Sequence, residues 1–362
     1  NPDVPNGRNI YAFEADKIPT RAAYEAGGEA FEALVEAFRE EHGRMPEKLA
    51  FSLWSSEALR HLGVLEAQVL HALGLRPVWD QGGRLVALDI IPANELGRPR
   101  VDAVLQVTSV YRDQFDHFMR LLADAIERLA TLEEEGNAVA RNAARIAGAL
   151  EEAGTDPEEA KGLAALRIFS NEPGDYGTGL PDATLASTEW EDDAPLAENF
   201  LARMRYAYGS SRWGEAPAEG NLLAEQLRGT DAAVLSRSSN LHGVLSTDHP
   251  FEYLGGLALA VRHLDGKSPT LYISDLRDRE PRLTTAARFL ADEMRSRYLN
   301  PAWIEGMKEE GYAGTLEMLN AVNNLWGWQV SAPETVRADQ WQAVHDTYIA
   351  DTRGLELNEW FE

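Results

Sequence analysis

The sequence predicts an α/β fold: layered sheets with helices on both faces, followed by a mainly helical carboxyl-terminal part. Three observations lead there. Short apolar runs of strand length alternate with longer segments whose apolar residues recur at helical spacing. The apolar runs end in serine, threonine or asparagine, residues suited to cap a following helix. Beyond Leu283 only the helical period remains, interrupted at Asn300-Pro301, Gly311 and Gly327.

Taken in order, Thr20 to His42 carries Ala23, Ala30, Phe31, Leu34, Val35 and Phe38 on one stripe, with Gly43 closing the helix. Lys48 to Trp54 reads as a buried strand that runs into Ser55-Ser56 and one helix to Leu73. Arg76 to Asp80 and Arg84 to Ile91 flank Gln81-Gly82-Gly83, the pattern of a hairpin. Val101 to Thr108 is a further strand, and a long helix follows Tyr111-Arg112-Asp113 through Ala130. From Thr131 to Ala160 eight acidic residues face two arginines, which predicts exposed helices at a boundary. Leu166 to Phe169 resumes the strand pattern, followed by the glycine-rich stretch Ser170 to Gly179 and the acidic stretch Asp182 to Glu198. Helices over Leu196 to Tyr208 and Asn221 to Arg228, a strand over Ala232 to Leu235, a helix over Phe251 to Leu264 and a strand over Pro269 to Ser274 complete the alternation. The expected organisation is an α/β domain over 1–130, an acidic helical connector over 131–165, a second α/β region over 166–282 and a helical region over 283–362.

Composition narrows the chemistry. Against 34 basic residues stand 59 acidic ones, a net charge of −25, so polyphosphate backbones are poor partners and nucleic acid is not expected. With no cysteine, any metal handled by this chain must meet histidine and carboxylate. No signal peptide or membrane-length apolar run is visible, so the expected compartment is the cytoplasm. The triplet Gly266-Lys267-Ser268 is not a phosphate loop, because Val261 stands where the motif needs glycine. Gly174, Gly177 and Gly179 make no dinucleotide fingerprint, and Trp326-Gly327-Trp328 reads as packing.

In open α/β sheets ligands collect beyond the carboxyl ends of the strands. Those ends are polar here: Ser55-Ser56-Glu57, Thr108-Ser109, Ser170-Asn171, Ser236 to His242, and Ser274-Asp275. Glu57, His61, Val64, Gln68 and His71 would share one face of an unbroken helix, with Leu59, Leu62, Val69, Leu70 and Leu73 on another. Glu57 and His61, at i and i+4, can hold a divalent cation or pass a proton. His242, Asp248, His249, Glu252 and Tyr253 form a second cluster, just before Gly255-Gly256.

With these residues in view, the sequence resembles the CobN/magnesium chelatase large-subunit family. The residues that carry the likeness are Gly7 to Phe13 (GRNIYAF) with Ile18 to Thr20, Leu53 to His61 (LWSSEALRH) with Gly63 to Gln68 (GVLEAQ), Leu73 to Asp80 (LGLRPVWD) and Glu95 to Asp102 (ELGRPRVD). They continue through Tyr111 to Asp113, Arg167 to Ser170 with Gly174 to Gly177, Tyr253 to Gly256, and Asn300 to Met307 (NPAWIEGM) with Gly311 to Gly314. The family often reads His-Gly-Gly where this chain has His61-Leu62-Gly63, and many members carry histidine where it has Leu254. Family chains are much longer, so a carboxyl-proximal portion is expected.

The resemblance implies a tetrapyrrole-binding large subunit of an ATP-dependent chelatase that inserts cobalt(II) into a corrin ring, hydrogenobyrinate a,c-diamide, in cobalamin biosynthesis. Magnesium or iron and another tetrapyrrole are the alternatives, as is a fragment that binds ring or metal without turnover. The divalent metal is a substrate. ATP would be hydrolysed by partners, an AAA+ ATPase subunit and a subunit with an integrin-like metal site. On this reading Glu57 and His61 are catalytic, and Glu57, His61, His242, Asp248 and His249 form the metal path. Arg60, Arg112, Gln68 and Tyr253 are the expected substrate-binding residues.

Overall fold

The computed structural model describes residues 14–217 and 220–361. The segment Gly7 to Phe13, which carries part of the family likeness, lies outside them. In chain order the elements are α1 (Arg21–His42), β1 (Lys48–Leu53), α2 (Ser55–His61), α3 (Val64–Leu73), β2 (Leu75–Trp79), β3 (Leu85–Ile90), β4 (Asp102–Val107), α4 (Ser109–Gln114), α5 (Asp116–Ala130), α6 (Ala138–Glu152), α7 (Pro157–Ala164), β5 (Ile168–Ser170), α8 (Ala194–Arg203), β6 (Tyr206–Tyr208) and β7 (Trp213–Glu215). There follow α9 (Leu222–Leu227), β8 (Ala232–Arg237), a π-helical turn (Phe251–Gly255) leading into α10 (Gly256–Asp265), β9 (Thr270–Asp275), β10 (Arg282–Thr285) and α11 (Ala286–Glu293). The last long elements are α12 (Pro301–Glu309), α13 (Tyr312–Ser331) and α14 (Ala338–Tyr348).

One eight-stranded sheet runs β10-β9-β8-β1-β4-β5-β6-β7, and β2 pairs with β3 in a separate hairpin. The five central strands are parallel, and β10, β6 and β7 add antiparallel margins. The register is regular, with Leu49 opposite Ala103 on one side and Ala232 on the other. Because β1, β4 and β8 are covered on both faces, they read as continuous apolar runs. Alternation along each strand sorts its residues into two cores. Leu49, Phe51, Ala103, Leu105 and Val234 meet α1, α3 and α5 through Phe31, Leu70 and Phe118. Ala50, Val104, Ala233 and Leu235 meet the opposite layer through Ile146, Phe200, Leu259 and Trp328.

Several expectations change. Residues 1–130 and 166–282 contribute strands to the same sheet, since β8 pairs directly with β1. The acidic stretch 131–165 is not an exposed connector: α6 and α7 bury Ile146, Ala147, Ala160 and Leu163 against the sheet and turn their charged side outward. The helix from Leu196 stops at Arg203, and Tyr206–Tyr208 is an edge strand. Similarly, Arg282–Thr285 forms β10 ahead of the helical region. These are short margins with partly exposed residues, so they lack the apolar run that marks a central strand.

The helix expected from Ser55 to Leu73 is broken at Leu62 and Gly63, both in the left-handed region (φ 55° and 95°). Space explains the break. A Cβ on Gly63 would lie 2.6 Å from Pro19 Cα, so only glycine lets the chain pass α1's leading turn. The break rotates α3 relative to α2 and undoes the shared face. Glu57 and Gln68 are buried whereas Leu62 is 47% exposed, and His71 stacks on Tyr24.

Candidate functional site

The sheet order reverses at β1: the chain moves outward through β4 and β5, then returns to lay β8 on the other side. The carboxyl ends of β1 and β8 therefore flank a topological switch point, where α/β sheets open a crevice. Glu57 sits there in the first turn of α2, one residue after the serine pair. Its carboxylate accepts hydrogen bonds from Arg60 Nη1 at 2.7 Å, Ser238 Oγ at 2.5 Å and Arg237 Nη1 at 3.5 Å.

Arg237, the last residue of β8, organises this region. It is fully buried, grips Asp248 with two bonds of 2.9 and 3.0 Å, and donates to Gly243 O at 2.6 Å. Its guanidinium carbon also lies 5.2 Å from the Trp54 ring centroid, within cation–π range. Burial opposes the Arg237 charge, but the Asp248 and Glu57 carboxylates outweigh it. Burial likewise pushes the Asp248 carboxyl up, and the guanidinium beside it, with Ser246, brings it below the ordinary range.

Next to this cluster lies a cleft of about 330 Å³. Trp54, Leu59, Val110 and Tyr253 line one part, with Trp54 edge-on to Tyr253 at 5.2 Å. Ser55, Ser56, Thr108, Gln114, Asp248 and Glu252 line the rest. Glu252 and Tyr253 arrive on the π-helical turn, which glycines hold in place: a Cβ on Gly255 would meet Ser331 Oγ at 2.2 Å, and one on Gly327 would meet the Phe251 ring at 2.5 Å. Such π turns recur at functional sites. Burial pushes the Glu252 carboxyl up, although Thr178 donates to it from both backbone N and Oγ1.

The histidines are held differently. His61 Nδ1 accepts from the backbone N–H of Gly63 and Val64 at 3.1 and 3.0 Å, capping α3, so Nε2 carries the proton and donates to Ser236 Oγ at 3.0 Å. Both ring nitrogens are thus engaged, and burial pushes the imidazole down to about 3. His61 is built as a neutral structural cap, not as an open ligand or a ready base. Its folded value lies below the ordinary 6.5, so the unfolded chain binds more protons between those limits. Its contribution to stability is present above pH 6.5 and drains as pH falls toward 3. Urea midpoints should fall less steeply over that window for His61→Asn, whose amide oxygen can still cap α3; equal slopes would refute the assignment.

Other expected site residues lie elsewhere. Arg112 is buried, pairs with Asp113 and donates to Asn171 O and Glu172 O, so it braces the glycine-rich loop instead of facing a substrate. Gln68 is buried and ties α3 to β9 through Ser274 Oγ at 2.7 Å. Arg60 keeps a partly exposed side chain beside Leu59. Asp248 and Tyr253 do line the cleft. Glu57, His61, His242, Asp248 and His249 do not converge on one point, and among the described residues no three histidine, aspartate or glutamate side chains are grouped to hold a metal. Arg237 was visible in sequence only as a charge ending an apolar strand. Asn324, fully buried on α13, left no signal beyond a polar residue on a helix face.

A cavity of about 420 Å³ opens at the opposite, amino end of the sheet, lined by His42, the Arg44–Asp231 pair and Lys267. The Gly-Lys-Ser triplet therefore lies away from the cleft. No helix among the described residues is long and apolar enough to cross a membrane.

Comparison with known proteins adds a lineage. The family described as CobN/Magnesium Chelatase matches residues 1–362. The aerobic cobaltochelatase subunit CobN of a Sinorhizobium species is 33% identical over 97% of this chain and 28% of its own length. A magnesium-chelatase subunit of Cereibacter sphaeroides is 34% identical over 98% of this chain and 29% of its own. The solved catalytic subunit of cobaltochelatase from Mycobacterium tuberculosis superposes with a TM-score of 0.87 at 33% identity, covering 97% of this chain and 30% of that one. The chain thus spans less than a third of the length of these relatives.

Proposed function

The chain belongs to the CobN/magnesium chelatase family, and from that premise we propose that it forms the tetrapyrrole-binding cleft of a chelatase large subunit that inserts a divalent metal. The observation that carries this reading is the divided lining of the 330 Å³ cleft at the sheet's switch point. Trp54, Leu59, Val110 and Tyr253 suit the face and edge of a flat macrocycle, while hydroxyls and carboxyls face its polar centre and substituents. Arg60, partly exposed and next in sequence to Leu59 of the lining, suits a peripheral carboxylate and supplies positive charge to a chain whose net charge is −25.

Insertion requires that the inner N–H protons of the ring leave as the cation enters, one from a corrin and two from a porphyrin. Glu252 suits a proton acceptor, since burial has raised its proton affinity and it lines the cleft. Glu57 and Asp248 act through Arg237, keeping the floor charged and fixed. We assign cobalt(II) and a corrin ring, hydrogenobyrinate a,c-diamide, as substrates. ATP hydrolysis falls to an AAA+ subunit and a subunit with an integrin-like metal site, in the cytoplasm. A second reading, magnesium insertion into a porphyrin, draws on the near-equal identities to the cobalt and magnesium relatives.

Tetrapyrrole binding by the chain should quench tryptophan fluorescence, and Val110→Arg should weaken binding by about tenfold, or ~1.4 kcal/mol. A wild-type chain that binds neither ring, or a Val110→Arg chain that binds as well as wild type, overturns the reading. Comparing a corrin with a porphyrin separates the two substrates.

A further inference from the structure

The loop between Ser170 and Leu180 is gripped from two sides. Arg112 donates to Asn171 O at 3.3 Å, Glu172 O at 2.8 Å and Asp175 O at 3.4 Å. From α8, Arg203 donates to Asp175 Oδ2 at 2.9 Å and Tyr176 O at 3.3 Å. Inside the loop Asn171 Nδ2 donates to Gly177 O at 2.6 Å, and Gly177 and Gly179, on either side of Thr178, are left-handed at φ 71° and 77°. These bonds deliver Thr178, fully buried, against Glu252 of the π-helical turn.

There the hydrogen positions follow from the partners. Thr178 Oγ1 accepts from Leu180 N at 3.2 Å, and its own O–H points to Glu252 Oε2 at 2.9 Å. The Thr178 backbone N–H donates to the same oxygen at 3.1 Å. Glu252 Oε2 is thus taken up by two donors, while Oε1 has no hydrogen bond among the described residues and is not shut off from solvent. Glu252 lines the cleft, so Oε1 is the oxygen on that side. His249 and Arg203 also bear on the carboxyl and favour its charged form, and burial keeps the Tyr253 phenol neutral beside it.

We propose that Thr178 is a positioning residue that anchors Oε2 of Glu252 and so aims Oε1 at an inner N–H of a tetrapyrrole in the cleft, as the atom that takes the proton. This rests on the chelatase reading and names both the accepting atom and its holder. The N–H bond breaks, its electron pair stays on the ring nitrogen for the incoming cation, and the proton joins Oε1. A base acts only within hydrogen-bond reach of the proton it takes, so an aim set before the ring arrives raises the rate. A carboxylate anchored through neither oxygen would turn about its terminal torsion, which is broad and two-fold. The Arg112 and Arg203 clamps serve the same end at one remove, since they hold the loop that holds Glu252.

The test uses the large subunit assembled with its ATPase partners, supplied with cobalt(II) and hydrogenobyrinate a,c-diamide or with magnesium and a porphyrin. Thr178→Val keeps the shape and loses the hydroxyl donor. It should lower kcat for insertion about 10- to 100-fold and leave ring affinity, read by tryptophan quenching, within about threefold. Thr178→Ser keeps both donors and should stay within about threefold of wild type in both measurements. An unchanged kcat in Thr178→Val, a loss of ring affinity as large as the loss of kcat, or an equal loss in Thr178→Ser overturns the proposal. If the valine variant fails to fold, Thr178→Ala removes the same hydroxyl without adding a methyl and is read in the same way. The two failures are distinct: if the wild type inserts a metal and the variants match it, only this inference falls, and if the wild type inserts neither metal, the chelatase reading falls with it.

Discussion

Replacing Arg237 with methionine should destabilise the chain by about 3–5 kcal/mol, because it leaves Asp248 without its buried counter-charge and Glu57 with Arg60 alone. The hydrophobic area of the new side chain recovers little, since the cost lies in the stranded Asp248 carboxylate. The acid limb of the stability curve should change as well. Asp248 is held below its ordinary 3.8, so in the wild type its contribution is present above that value and lost as pH falls through the folded value. In Arg237→Met that contribution is gone, and the loss of stability below about pH 4 should be shallower. Urea unfolding across pH 3–7 measures both effects. A methionine variant within about 1 kcal/mol of wild type would show that the guanidinium does not carry this cluster.

Asp102→Ala should cost a comparable ~3–5 kcal/mol at the other end of the sheet. Asp102 and Arg167 are both fully buried and meet at 2.9 Å, and Asn142 completes the carboxylate's partners. Lys48 lies nearby, buried and donating to Gln226 O and Arg228 O. Burial pushes its ammonium down to about 8 from an ordinary 10.5, against the pull of Asp102. Between those values the unfolded chain binds more protons than the folded one, so stability should rise with pH over that window. Lys48→Met should remove the rise and leave neutral-pH stability nearly unchanged or improved, whereas Asp102→Ala strands two positive charges. Thermal or urea unfolding at pH 7 and pH 10 distinguishes them.

The sheet was legible because central parallel strands must be apolar throughout, and the runs at 48–54, 101–108 and 232–235 were found on that ground alone. What periodicity could not show was the order of the strands, and therefore that two stretches taken as separate regions share one sheet. It also missed the break at Leu62-Gly63, since nothing local to 55–73 reveals that Pro19 stands in the way. That one omission produced a face that does not exist: Glu57, His61, Gln68 and His71 were grouped on one helix, and the break divides them between two. A cleft does open beyond the strand ends, with Asp248 and Tyr253 in its wall. Arg237 and Asn324 escaped because their roles come from partners distant in sequence.

That distance bears on how the molecule comes into being. The wall of the cleft is held from behind by the carboxyl-terminal helices: Glu293 accepts from the backbone of Val244 and Leu245, Asn324 donates to Leu245 and Ser246, and Trp328 donates to Val244 O. During synthesis the segment 243–246 emerges long before those holders exist. The sheet strands β1, β4, β5 and β8 can pair as they appear, but their rim stays unfinished until α13 has been made and docked. The cleft is thus finished only after the sheet, and a nascent chain presents its paired strands before it presents a finished cleft.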